Sequence, residues 1–171
     1  MLKYIGAILL TAGAALWGLS GAKSLRERGT ALRAVASSLE IMRSEVCDRL
    51  TPVPELFGML ARQSSSPADI LYKNAEKRLD SIGALPFGEI WRLAVNETHE
   101  LMLTDSERLT LCELGLSLGK YDTGEQRRAI DAARVRFEQF AAKAEAEREK
   151  SWKSQALLGL SAGIFAVIIL L

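Results

Sequence analysis

Apolar positions along this chain fall into two continuous runs at its ends and into periodic stripes between them. From Tyr4 to Ala22, and again from Gln155 to Leu171, no charged residue occurs. As helices these runs of 19 and 17 residues would measure about 28 and 25 Å, against a hydrocarbon core of roughly 30 Å. They predict a transmembrane helix at 1–22 and a second at 155–171, the latter extended by Trp152 and Lys153 at its boundary.

Between the runs the spacing is helical throughout, and no stretch of four or more residues alternates as a strand would. Six helices are expected. The first continues to about Leu50 on a stripe of Leu25, Leu32, Val35, Leu39, Met42, Val46 and Leu50. Thr51-Pro52-Val53-Pro54 stops it, because proline lacks an N–H and disfavours helical geometry in the residue before it.

A second helix starts at once, with proline in its first turn, runs through Glu55, Leu56, Leu60 and Ala61, and ends at Gln63-Ser64-Ser65-Ser66. Pro67 opens a third on Ile70, Leu71, Ala75, Leu79 and Ile82, which Gly83 ends. The fourth carries Ile90, Trp91, Ala94, Thr98 and Leu101. Thr104-Asp105-Ser106-Glu107 reads as a capping box heading the fifth, whose apolar residues include Leu109, Leu111, Cys112, Leu116 and Leu118.

Gly119 closes the fifth helix, and Thr123-Gly124-Glu125-Gln126 offers a capping box for the sixth. There Ile130, Ala133, Phe137, Phe140 and Ala144 keep a three-four spacing toward the terminal run. The expected fold class is all-α: a six-helix antiparallel bundle at 23–142, a solvated helical stalk at 143–154, and one flanking transmembrane helix at each end.

Charge sets an orientation. Lys23, Arg26, Arg28 and Arg33 follow the first run, and Lys143, Arg148, Lys150 and Lys153 precede the second, which predicts a cytoplasmic middle. A cleaved signal peptide ending at Ser20-Gly21-Ala22 is the competing reading, and the basic residues directly after it argue against export. With Lys3 set aside, 21 of the 22 basic residues stand against 21 acidic ones, a neutral middle without the signature of a nucleic-acid binder. Cys47 and Cys112 are expected as reduced core thiols.

Chemistry is sparse. No glycine-rich phosphate loop is present, and the single histidine, His99, between Glu97 and Glu100, reads as part of a solvated face; no catalytic, cofactor or metal residue is expected. The remaining signals are for contact. Ala14, Gly18 and Ala22 repeat at intervals of four, as do Gly159 and Gly163, and such spacing lets helix backbones approach within a membrane, between the two runs or between copies of the chain. Thr51, Pro52, Pro54 and Glu55, with Gly119, Asp122 and Gln126, form the candidate partner interface.

The order of these features resembles a known family. A basic-flanked N-terminal run, Leu50-Thr51-Pro52-Val53-Pro54-Glu55-Leu56, the pairs Leu114-Gly115 and Leu118-Gly119, then Asp122, Gln126, Ile130 and a terminal run look like the stage III sporulation protein AB family. Val53 stands where leucine is expected and keeps the apolar bulk. The resemblance implies a membrane platform in an eight-protein complex linking mother cell and forespore. It implies a domain similar to the helical part of type II secretion platforms, and a secretion-type ATPase, stage III sporulation protein AA, as partner. A membrane-anchored scaffold without ATPase contact is the alternative.

Overall fold

The computed structural model describes residues 24–79, 85–118 and 122–170, with side chains beyond Ser151 described only at Ser154. Among the described residues there are six α-helices, as the periodicity predicts. They are α1 (24–43), α2 (Val53–Gln63), α3 (Ala68–Arg78), α4 (Phe87–Glu97), α5 (Asp105–Ser117) and α6 (Thr123–Leu170). The chain divides into one unit of Arg28–Ala142 and another formed by Met1–Glu27 with Lys143–Leu171.

In the first unit α1 buries Leu32, Val35, Leu39 and Met42. Its outer edge faces α6 through charge. Glu40 pairs with Arg134 at 3.2 Å, Arg43 with Asp131 at 3.8 Å and Asp48 with Arg127 at 2.7 Å. Residue numbers rise on one side of this ladder as they fall on the other, so the two helices run antiparallel. Exposed pairs of this kind contribute little each, on the order of 0–1 kcal/mol, and set register more than stability.

The middle helices close over an aromatic cluster. Phe57 of α2 stacks on Trp91 of α4 at 5.5 Å, on Phe87 at 5.7 Å and on Tyr72 of α3 at 6.2 Å between ring centroids. Offset stacking adds about 0.5–1.5 kcal/mol per pair to the burial of the rings. The polar tips are satisfied: Trp91 Nε1 donates to the carbonyl of Leu111, and the Tyr72 hydroxyl lies 2.7 Å from Ser38 Oγ on α1. Burial pushes the Tyr72 phenol well above its ordinary value of 10.0, with the Ser38 hydrogen bond opposing.

Helix boundaries follow local chemistry. Pro52 precedes α2 in an extended conformation with proline in the first turn, Pro67 precedes α3, and the capping box of Thr104 and Glu107 heads α5, the Thr104 N–H donating to Glu107 at 2.8 Å. Glu107 is buried and also takes a hydrogen bond from Arg28 of α1 at 2.6 Å, so its two oxygens each have a donor.

Four expectations are corrected. The flanking transmembrane helices are not found: among the described residues no helix is long and apolar enough to cross a membrane. α1 and the part of α6 up to Lys150 carry charges along their length, as at Arg26, Glu27, Arg28 and Arg33 or at Lys143, Glu145, Glu147, Arg148 and Lys150. The first expected span, with Ala14, Gly18 and Ala22, lies outside the described residues, and for Gly159 and Gly163 only a helical backbone is described.

The stripe of α1 does not reach Leu50. It widens into a π turn at Ser44–Asp48, and Leu50 leaves the core to stand exposed. The fourth helix ends at Glu97 and continues as a separate 3-10 turn at His99–Leu101, which still buries Leu101. The cap of α6 is Asp122, one residue earlier than expected: its Oδ1 accepts the N–H of Glu125 at 2.8 Å. Gly83 and Ile82 lie outside the described residues.

Candidate docking corner

The corner starts from an acid in an apolar stripe. Glu45 follows the phase of α1 into the core and is 4% exposed, a placement that is costly for a carboxylate unless donors meet it. They come from the residues just beyond. Arg49 Nη1 donates to Oε1 at 2.8 Å and Thr51 Oγ1 to Oε2 at 2.8 Å, while the Thr51 N–H reaches the Glu45 carbonyl at 2.9 Å. The Arg49 N–H bonds to the Ser44 carbonyl at 3.1 Å, five residues back, which is the π-type spacing.

This tie folds the chain tightly enough that Leu50 adopts φ 55°. A leucine in the left-handed region costs about 1–2 kcal/mol relative to the right-handed one, and glycine would avoid most of that. Leu50 is also 67% exposed, so the strain is not offset by burial of its side chain.

The second half of the corner is the N-terminus of α6. Cys47 Sγ–H points at the Thr123 carbonyl at 3.9 Å, and Asp48 pairs with Arg127 at 2.7 Å. Burial raises the Cys47 thiol above its ordinary value, more than neighbouring Arg127 lowers it, which keeps it protonated and unreactive at neutral pH. The two stretches singled out in the sequence are therefore neighbours, joined by residues between and beside them. Pro52, Pro54 and Glu55 are exposed on one side and Asp122 on the other, with Thr51 and Gln126 half-buried. Gly119 lies outside the described residues.

Glu45, Leu50, Asp48 and Arg127 are missing from the interface expected on sequence grounds. One signal for them exists: a glutamate on the buried phase of a helix, with an arginine four residues on and a threonine six residues on, marks a carboxylate tied to its own loop. His99 is exposed, as expected for a solvated face, and among the described residues no three His, Cys, Asp or Glu side chains gather as metal ligands would.

Among the described residues the geometry defines an all-helical domain with an aromatic cluster between α2, α3 and α4, and with a hydrogen-bonded, ion-paired corner where the turn after α1 meets the start of α6. The chain belongs to the stage III sporulation protein AB family, whose model matches residues 3–171. It is 27% identical over 172 residues to stage III sporulation protein AB of Bacillus subtilis (strain 168), the match covering 100% of both chains. A solved structure of stage III sporulation protein AB superposes with a TM-score of 0.66 at 25% identity, covering 72% of this chain and 98% of that one.

Proposed function

We propose that this sporulation protein is the platform component of a secretion-like complex between mother cell and forespore. It works at the mother-cell membrane with its central domain on the cytoplasmic side. Its corner of Leu50–Glu55 and Asp122–Gln126 receives a secretion-type ATPase, stage III sporulation protein AA. The single observation that carries this reading is Leu50, an exposed apolar side chain kept in a strained conformation by a buried carboxylate. Strain of this kind persists only where the surroundings over-determine it, and it concentrates at contact and switch sites.

The test separates contact from stability. Replacing Leu50 by glycine relieves the backbone strain and removes the side chain, so the domain is expected to melt at the same temperature or higher while capture of the co-expressed ATPase by the full chain drops. Undiminished capture by Leu50→Gly would dismiss the corner. Failure of the wild-type chain to capture the ATPase at all would instead favour a scaffold without motor contact.

A further inference from the structure

The π spacing after α1 favours Glu45 and disfavours Leu50. It carries the Arg49 N–H to the Ser44 carbonyl at 3.1 Å and the Thr51 N–H to the Glu45 carbonyl at 2.9 Å, which sets Arg49 Nη1 and Thr51 Oγ1 on the enclosed carboxylate at 2.8 Å each. Leu50, between these two donors, is left with its backbone at φ 55° and its side chain in solvent.

An α pitch reverses the preference. At 3.6 residues per turn Leu50 returns to the side of α1 that carries Leu32, Leu39 and Val46, all of them buried, with a right-handed backbone. The Glu45 carbonyl, which now accepts the Thr51 N–H, then accepts that of Arg49, four residues on, so the backbone keeps its bonds. The Glu45–Arg49 ion pair also has the spacing an α turn allows. Only the Thr51 hydroxyl is lost to the carboxylate. Each winding leaves one group badly placed, an apolar side chain in the first and an under-served acid in the second, and two packings with opposed penalties make a bistable element.

We infer that this turn is a latch with two settings. With the Thr51 hydroxyl on Glu45, Leu50 is held out toward solvent; on its release the turn tightens to α pitch and Leu50 returns to the core face of α1, where no partner reaches it. This rests on Leu50 being the docking residue of the corner, and it makes the corner self-inhibiting when unlatched. A partner that grips Leu50 selects the latched form, and Asp48 paired with Arg127 at 2.7 Å ties that form to α6. Thr51 is then a positioning residue, which acts through Leu50 without touching the partner.

The experiment follows the Leu50 methyl resonances of the full-length chain, assigned by their loss in Leu50→Ile, with a soluble paramagnetic agent reporting their exposure. Thr51→Val keeps the shape of the side chain and removes the hydroxyl. It is expected to lower the paramagnetic relaxation of the Leu50 methyls by about threefold or more, as the hidden form becomes the main one, and to weaken capture of the co-expressed ATPase. Thr51→Ala, which cannot crowd its surroundings, is expected to do the same, and Thr51→Ser to restore both. Methyls as exposed in Thr51→Val and Thr51→Ala as in the wild type would mean a loosened loop and overturn the latch, even where Leu50→Gly abolishes capture and the docking role of Leu50 stands. Methyls that become buried while neither wild type nor variant captures the ATPase uphold the latch and remove the corner as the ATPase's docking place.

Discussion

Gly115 shows how much one hydrogen atom in place of a methyl group can decide. A Cβ added there would lie 2.1 Å from Trp91 Cδ1 and 2.6 Å from Cγ, inside any real contact distance. The ring cannot swing aside, because its Nε1 is bonded to the Leu111 carbonyl one turn earlier on α5 and its face is stacked on Phe57. Gly115→Ala is therefore expected to destabilise the domain by about 1–3 kcal/mol through overpacking, in spite of alanine's better helix propensity. Urea denaturation would read this as a lower midpoint with an unchanged slope. Individual residues with a purely local role are legible in the sequence. The prolines at the head of α2 and the capping box of α5 stand where local chemistry puts them. Leu50 and Gly115 are not legible in that way, since one depends on a hydrogen-bonded tie and the other on which ring arrives from another helix.

At the scale of the element, periodicity locates all six helices and most buried faces, and it fails where one helix has more than one phase. The stripe of α1 holds through Val46 and then breaks, because the π turn adds a residue to the last turn and rotates the next positions out of the core. α5 misleads for a different reason: its apolar residues surround the helix, so no single stripe announces which face is buried. Phe57 and Tyr72 escape the pattern because each lies directly beside a leucine that already satisfies it, although both are fully buried. The ends of α1 and α5 are held by the Arg28–Glu107 pair, whose acid is almost completely enclosed. Arg28→Ala leaves that carboxylate without its cation and is expected to cost about 3 kcal/mol, whereas replacing both residues with methionine is expected to cost less than the single change. A double-mutant cycle in thermal or urea denaturation checks the order.

For the whole molecule, the aromatic core predicts a limit in alkali. The folded domain holds Tyr72 protonated above the 10.0 of an ordinary tyrosine, so between that value and the raised one the folded state binds a proton that the unfolded chain has lost. The associated stability is fully present below pH 10 and declines as pH rises above it, with a slope of up to about 1.4 kcal/mol per pH unit. Tyr72→Phe removes this dependence while losing the Ser38 hydrogen bond, so its denaturation midpoints are expected to start lower near pH 8 and to fall less steeply above pH 10. Family membership is legible across the chain from the order of its motifs, and the matched family covers residues 3–171. The juxtaposition of Asp48 with Arg127 is not, because nothing local relates positions 79 apart in sequence. The surplus residue that widens the last turn of α1 makes the protruding loop a modular addition to an otherwise regular bundle. Excising one position between Ser44 and Asp48 would let the ordinary winding resume and retract the glutamate's grip on the loop, erasing the outer landmark together with one of the three enclosed side chains Glu45, Val46 and Cys47.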